Sequence, residues 1–548
     1  MRSISISEIL LMIESASNNL QNNKKAINDL NVFPVPDGDT GTNMGLTFSG
    51  AASAALSSGE KNVGNVIGIL AKASLRNARG NSGVILSQIL RGVSGALAGR
   101  EELTVEDIKN AACGGRDTAY RAVMKPTEGT ILTVVREGAE FAEQNYENYD
   151  DAAEFFYAVI KACKESLDRT PDILPVLKQA GVVDAGGCGV VTLLEGAAAA
   201  LKDGKAIEAK EGAVSAASVT AGGAAASAEI DTADIKFQYC TEFIIQKSSP
   251  DRQTNQFEAA ISPKGDCMLV IADDDIVKVH IHTNHPGFVI EQALKLGELI
   301  NIKIDNMKYQ HSENEGNAAA QAVEEPVELK KYGVVAVSAG SGLTEVFKSV
   351  GVDMIVEGGQ TMNPSTQDLA DAASRIPAEV VYILPNNKNI ILAAEQVCDI
   401  IDDKKVIVIP TKNIPQGISA MLAFDEGCDE ETNTEAMKEM LAMVKCGQVT
   451  FAARDSAVGG LEIHEGDVMG MVGSDITDLG NDLNQVSLEL AVRMMDETSE
   501  VVTVYYGADV DEETAQALAD KIGEANSDVD VTTVYGGQPV YYYMIAVE

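Results

Sequence analysis

NVFPVPDGDTGTNM, residues 31–44, is the stretch on which the reading of the fold turns. Pro34 and Pro36 cannot sit inside a helix, so they hold the segment open between two helix-like stretches. Asp37 and Asp39 flank a glycine that lets the backbone bend tightly, which allows both carboxylates to converge on one point. Thr40, Thr42 and Asn43 add hydroxyl and amide groups, and Gly41 permits close approach to a ligand. Hard oxygen donors at this density suit Mg²⁺, which takes one or two carboxylates and leaves positions for phosphate oxygens. An apolar helix-like stretch from Met44 to Leu56 follows, and its amino end is a place for anions. A plain helix cap needs one such residue rather than five.

Working outward, the first 205 residues read as helices joined by glycine-rich loops. Ile6, Ile9, Leu10 and Ile13 recur at helical spacing, and similar faces run through 64–75, 82–95, 106–125 and 152–168. Three later loops stand before apolar helices: Arg79-Gly80-Asn81-Ser82-Gly83, Pro126-Thr127-Glu128-Gly129-Thr130 with Lys125 and Arg136 nearby, and Val183-Asp184-Ala185-Gly186-Gly187. Small residues at a helix start can cradle phosphates through backbone N–H groups, although one such loop alone is no more than a cap.

Residues 206–234 are rich in Ala, Gly, Ser and Val and read as a linker, with a weak Ala-rich helix as the alternative. Residues 235–312 change to strands. Lys236–Ile245, Cys267–Ala272 and Ile276–His282 alternate, with an Asp-rich turn at Asp273–Asp275. His280 and His282 are two apart and share a strand face, and Cys240 is a third candidate ligand. Three protein ligands with an open position make a catalytic zinc site. Spacing alone leaves open a solvent-facing His-x-His beside an unrelated Cys. Residues 313–328 are a second, acidic linker.

From 329 to 548 the pattern is strand, polar loop, helix, repeated. Tyr332–Val337, Val380–Leu384 and Lys405–Ile409 are buried strands, with Val449–Ala453 and Val501–Tyr506 later. This is an α/β layered region whose loops at the strand carboxyl ends are the binding edge. Ser338-Ala-Gly-Ser-Gly342 reads as a tight turn rather than a phosphate loop. The loops around Gln360–Asn363 and Asn386–Lys388 are polar and read as exposed.

Composition bounds the rest. At 548 residues the chain exceeds one core, and three domains are expected. A formal charge of −40 argues against nucleic acid and anionic membrane surfaces and requires cations for any anionic substrate. Eight cysteines without CxxC pairs fit a reducing cytoplasm. The amino-terminal apolar run, Ile9–Ile13, is too short for a signal peptide, and no stretch reads as the ~18 apolar residues of a membrane span.

The segment PVPDGDTGTNM resembles the metal–nucleotide motif of the L-type domain of dihydroxyacetone kinases. Preceded by Asn31-Val-Phe, it is similar to the ATP-binding subunit of bacterial fatty-acid kinase. Tyr-Cys-Thr-Glu-Phe at 239–243 and Val-His-Ile-His-Thr at 279–283 extend that similarity into the middle region. Glu357–Pro364 and Leu384–Ile390 extend it into a tail related to the DegV-like carriers. The resemblance implies a multidomain protein with an all-α helical barrel, a small catalytic and dimerising α+β middle domain and an α/β C-terminal domain. It implies ATP and two Mg²⁺. Thr40, Gly41, Thr42, Asn43, Asn81, Ser82, Gly83, Gly129, Thr130, Asp184, Ala185 and Gly186 would line the nucleotide. Asp37 and Asp39 would hold metal; the family's third aspartate falls on Val32, and Asn31 is the nearest polar side chain.

Cys240, His280 and His282, with or without Zn²⁺, would then act on the acceptor. The implied activity is transfer of the ATP γ-phosphate to a fatty acid held by a separate DegV-like carrier, giving acyl phosphate for phospholipid synthesis, by a cytoplasmic homodimer. Nucleotide binding is expected to stay within residues 1–205 and carrier recognition within 329–548. A dihydroxyacetone-type small-molecule kinase is a rival, but no segment resembles the ketone-capturing domain it needs. A non-catalytic nucleotide-sensing scaffold is the other.

Overall fold

A computed structural model describes the chain apart from residues 1, 32–37, 124, 211–236, 238, 248–253, 273–275, 307–328, 360–362 and 459–460. Asp37, most of the first linker, the second linker from residue 313 onward, the Asp273–Asp275 turn and residues 360–362 therefore lie outside the described residues. Residues 1–208 and 329–548 form one compact unit, and residues 209–328 form another.

The first unit begins with helices α1 (Ile6–Asn28), α2 (Thr40–Ser57), α3 (Val63–Arg76), α4 (Gly80–Ala96) and α5 (Val105–Ala122), followed by α6 (Ile131–Asn145), α7 (Ala152–Ile173), α8 (Pro175–Ala180) and α9 (Ala185–Asp203). The helical spacing read from the sequence matches these spans, with ends displaced by a few residues. Capping boxes start α1 (Ser5 with Glu8) and α5 (Thr104 with Asp107), each satisfying two backbone donors. Consecutive helices from α1 to α7 pack on one another, and α9 closes back against α1. Helix α9 is, by length and composition, apolar enough to cross a membrane, which the sequence reading did not anticipate. Two-thirds of it (67%) is buried among the other helices, as in the core helix of a helical domain.

The chain then enters the second unit, described by itself: β1 (Tyr239–Lys247), α10 (Asn255–Ile261), β2 (Gly265–Ala272), β3 (Ile276–Thr283), α11 (Pro286–Ala293) and β4 (Gly297–Asn306). The strands form an antiparallel sheet in the order β2-β3-β1-β4. Phe243, Ile245, Val277, Val279 and Ile281 alternate onto one face and form a core with Phe257, Ile261 and Val289 from the two helices.

Returning to the first unit, β5 (Lys330–Ser338), α12 (Ser341–Ser349), β6 (Met354–Glu357), α13 (Thr366–Arg375), β7 (Ala378–Leu384), α14 (Ile391–Val397) and β8 (Lys405–Val408) build a parallel sheet in the order β6-β5-β7-β8. Both faces are covered, which explains the unbroken apolar run of β5. Tyr332, Val334 and Ala336 join one core with α12, while Val335 and Val337 join another with α13 and α14. After α15 (Ile414–Leu422) and α16 (Glu430–Met443) come β9 (Lys445–Phe451), β10 (Ser456–Val458), β11 (Leu461–Ile463), β12 (Val468–Val472), β13 (Asp475–Gly480), α17 (Leu483–Met494), β14 (Val501–Tyr506), α18 (Glu512–Ala525), β15 (Asp530–Tyr535) and β16 (Tyr541–Val547). Six of these strands form a mixed sheet, β13-β12-β9-β16-β14-β15, whose one parallel pair is β14–β15. The tight turn at 338–342 packs on this sheet: a Cβ at Gly342 would lie 2.0 Å from the Tyr535 carbonyl oxygen.

Candidate functional site

Helix α2 begins at Thr40, four residues before the apolar stretch that marks it in the sequence. The reason lies on α1. Asn28 Oδ1 accepts from the backbone N–H of Gly41 (2.7 Å) and of Thr42 (3.1 Å), and its Nδ2 donates to Thr42 Oγ1 (3.0 Å). The side chain of one helix thus caps the next. Asp39, at the N-cap, makes no capping bond with its carboxylate; Oδ2 accepts instead from Asn363 Nδ2 at 2.5 Å. Thr40 Oγ1 donates to Asn31 Oδ1 (3.0 Å), and Ser82 Oγ donates to Thr40 Oγ1 (3.5 Å). Gly41 serves the packing of α2 on α1, since a Cβ there would lie 2.2 Å from the Lys24 carbonyl oxygen.

The start of α4 is pressed against the same turn. Gly80 has φ +56°, and a Cβ there would come 2.4 Å from Asn43 Nδ2. Thr47 Oγ1 bonds to Asn43 O (2.7 Å) and receives Arg79 N–H (3.2 Å), so Asn43 and the α4 start are held through one hydroxyl. Gly83 packs on that hydroxyl as well.

Helices α6 and α9 begin together in the same way. Thr130 caps α6 and donates to Thr127 O (2.7 Å), while Gly129 takes φ +81°. Asp184 caps α9 by accepting from Gly187 N–H at 2.7 Å. Burial pushes the Asp184 carboxyl up to about 6, against the backbone N–H groups of Gly187, Ile131 and Gly186, which favour the charged form. One carboxylate therefore ties the amino ends of two helices. Gly189 of α9 lies against Met44 of α2, one turn in from each start, which sets α2, α4, α6 and α9 with their amino ends at one pole. Four helix starts turn their positive dipole ends the same way, while the N–H groups of Gly41, Thr42 and Gly187 are already held by Asn28 and Asp184.

Two arginines near these helix starts are already engaged. Arg136 pairs with Glu128, Glu137 and Glu140, and Arg79 with Asp368. Oxygen donors and helix ends therefore set the chemistry here. Asn31 Nδ2 and Asn81 Oδ1 are buried with no hydrogen-bond partner among the described residues, which fits a site that takes a polar ligand and a hard cation.

Two expectations change. Asn363, Asn386 and Asn387, read as exposed loop residues, are buried, at 1%, 4% and 6% exposure. Asn386 turns inward at φ +54°, with Nδ2 on Val337 O (2.9 Å) and its N–H on Thr411 Oγ1 (2.9 Å). The loop edge of the parallel sheet meets the α4 start: Asn81 Nδ2 donates to Asn389 Oδ1 (3.4 Å), and Gln88 to Gln396 (2.7 Å). Sequence reading missed Asn28, Asn363 and Asn389. Only Asn28 carried a signal, a polar side chain in the last turn of α1 just ahead of the motif.

In the middle unit the strand register aligns Cys240 with His282 and Glu242 with His280 across β1 and β3. Asp266 on β2 aligns with His282, and Asp305 on β4 with Cys240. The side chains of Cys240 and His280 lie outside the described residues. Among the described residues no group of three or more His, Cys, Asp or Glu is gathered for a metal ion.

Fold and site define a multidomain protein with a kinase-type helical part: residues 34–199 match the DAK2 domain. Residues 236–314 match the middle domain of the FakA-like fatty acid kinase family, and residues 333–548 match its C-terminal domain. Protein YloV of Bacillus subtilis is 42% identical over 98% of this chain and 98% of its own length. The chain belongs to the FakA-like fatty acid kinase family. Solved structures add partial likenesses, too low to bear on chemistry. The DegV family protein Cg2579 of Corynebacterium glutamicum has TM-score 0.32 and 13% identity, over 40% of this chain and 97% of that one. The dihydroxyacetone kinase of C. freundii in complex with AMP-PNP and Mg²⁺ has TM-score 0.28 and 18% identity, over 36% of this chain and 34% of that one.

Proposed function

We propose that this chain is the ATP-dependent subunit of a fatty-acid kinase, transferring the γ-phosphoryl group of ATP to the carboxylate of a fatty acid held by a separate carrier protein. The observation that carries this reading is the meeting of the α2 and α4 amino ends at Asp39, Thr40 and Ser82, with the α6 and α9 amino ends joined through Asp184, in the segment that matches a DAK2 domain. A carboxylate oxygen attacks the γ-phosphorus, the bond to the β-bridging oxygen breaks, and ADP leaves with that electron pair. Acyl phosphate results. The acceptor is already ionised at neutral pH, so no general base is required, and the barrier is the meeting of two anions.

Asp39 and Asp37 are the side chains assigned to hold Mg²⁺, with Asn31 as a further candidate; bound metal would neutralise phosphate charge. The residues of this chain do the rest. The starts of α2 and α4 turn their positive ends toward the phosphates, the Thr40–Asn31 and Ser82–Thr40 bonds fix the hydroxyls, and Asp184 keeps α6 and α9 in register. Cys240, His280 and His282 are assigned to the acceptor side, as a hydrogen-bonding set or a zinc site, in a middle domain spanning 235–312 that also dimerises. Their support is the strand register and the match of residues 236–314 to the middle-domain family.

The deciding experiment is ATP turnover by the purified chain with and without a fatty-acid-loaded carrier. Turnover that depends on the loaded carrier is expected. Consumption of ATP with a triose alone would replace the acceptor, and nucleotide binding without turnover under every condition would leave a sensing scaffold.

A further inference from the structure

The parallel-sheet region reaches the carboxylate that the nucleotide reading assigns to metal. Asn363 follows β6 at the carboxyl edge of the sheet, is 1% exposed, and donates its Nδ2 to Asp39 Oδ2 at 2.5 Å. Arg79, at the start of α4, donates from Nη1 to Asn363 O (2.8 Å) and pairs through Nη2 with Asp368 (3.5 Å). Arg79 and Ser365 form an isolated antiparallel bridge, and Thr366 N–H reaches Ala78 O at 3.1 Å. Gly80 leaves the room: a Cβ there would lie 3.3 Å from Asn363 Nδ2. Ala78 and Val84 belong to the same apolar core as Val335, Leu369 and Ile383, so this seam is packed as an interior. Asn363 Oδ1, like Asn81 Oδ1, is buried without a hydrogen-bond partner among the described residues.

We propose that Asn363 is a positioning residue for Asp39, and that the C-terminal α/β region is thereby a working part of the metal–nucleotide site. The inference rests on the nucleotide reading. An amide donor on Oδ2 fixes the plane of the carboxylate, and with it the direction from which Asp39 can meet a hard cation. A residue 324 positions away in sequence from Asp39 thus sets the orientation that α2 alone leaves uncapped. Linkage is reciprocal: the docked α/β region favours Mg²⁺ binding, and Mg²⁺ with nucleotide favours the docked arrangement. Nucleotide binding is then not confined to residues 1–205.

The test is calorimetric titration of the full chain with ATP, with and without Mg²⁺, for wild type, Asn363→Ala, Asn363→Ser, Asp39→Ala and Arg91→Ala. Arg91 makes a half-exposed ion pair with Asp399 (3.3 Å) elsewhere on the seam and controls for general loosening. Asn363→Ala is expected to weaken Mg·ATP binding about tenfold, the scale of a hydrogen bond to a charged group, and metal-free ATP binding less than about twofold. Asn363→Ser keeps a donor on a smaller side chain and should recover part of the loss, with Arg91→Ala at wild-type affinity. Wild-type Mg·ATP affinity in folded Asn363→Ala, while Asp39→Ala loses binding, would overturn the proposal and leave the nucleotide reading intact. An equal loss in Arg91→Ala would also overturn it. A wild-type chain with no Mg²⁺-dependent affinity, matching Asp39→Ala, would instead remove the nucleotide reading itself.

Discussion

The Asp39 turn and the Cys240–His282 strand pair belong to the same chain but are built by opposite means. The turn draws side chains from α1, α2, α4 and the loop after β6, so its parts are scattered from Asn28 to Asn363. The strand pair draws on two neighbouring strands of one small sheet, where a single register sets which residues stand opposite. The first arrangement suits binding a charged, flexible polyphosphate, because helix ends and loop oxygens approach it from several directions. The second suits acting on one atom, because strands hold side chains at fixed spacing. Binding and chemistry on the acceptor are therefore expected to separate under mutation.

The largest expected effect breaks the first site alone. Asp39→Ala should reduce Mg·ATP affinity by about two orders of magnitude, since it removes one of the two carboxylates assigned to the metal. Circular dichroism should be unchanged, because the Asp39 side chain makes no capping bond and the substitution keeps the backbone carbonyl that accepts from Asn43 N–H. Unaltered affinity would remove the metal assignment. His282→Ala, and in parallel Cys240→Ala, should do the reverse: nucleotide affinity within about twofold of wild type, but turnover with loaded carrier lowered by about a hundredfold. Full turnover in both single variants would end the catalytic reading of the strand pair, whether or not zinc is found in the purified protein.

The contrast also governs how much was legible in the sequence. Period-two alternation put His280 and His282 on one strand face, and the apolar runs gave β5, β7 and β8. Register is a tertiary property, so the alignment of Cys240 with His282 was not readable from either strand. The helical spans were readable from their faces, but the true start of α2 was not, because its cap comes from Asn28 on another helix rather than from the residue before it. Asn363 and Asn386 looked like exposed loop residues by composition. Burial reversed that, since the loop edge folds onto a helix start and into its own sheet. β4, β6, β10, β11, β12, β13, β15 and β16 were missed. β6 has only four residues, and β15 carries mixed exposure along its length.

The Asn28 cap gives a smaller effect that sharpens the same comparison. Asn28→Ala leaves the N–H groups of Gly41 and Thr42 without their acceptor and should destabilise the first unit by about 1–2 kcal/mol, the range for loss of an N-cap. Denaturant melts report the stability loss, and Mg·ATP titration should show weaker binding as the first turn of α2 frays. Turnover lost through His282→Ala should carry no such stability signature. If Asn28→Ala leaves both melt and titration unchanged, the cap is not what starts α2 at Thr40.

The smallest expected effect concerns Asp184 and has a pH signature. Burial raises its carboxyl from an ordinary 3.8 to about 6 in the folded chain. Below pH 3.8 both folded and unfolded states carry the proton, and the contribution of this group to stability is fully present. Between 3.8 and 6 the unfolded state ionises first, so stability is lost as pH rises, and above 6 the loss is constant. A shift of about two units corresponds to about 3 kcal/mol. The substitution Asp184→Asn removes the titration and keeps an acceptor for Gly187 N–H, but a weaker one, so part of that gain is returned at every pH. Asp184→Asn is therefore expected to stabilise the fold by about 1 kcal/mol at about pH 7.5. That advantage should be gone by about pH 5, where only about half of the ionisation penalty has built up. A pH-independent difference, or destabilisation at neutral pH that vanishes in acid, would show that the charged form is the one this pole of the helices favours. If the variant is more stable yet binds Mg·ATP more weakly, the buried charge is retained for the site rather than for the fold.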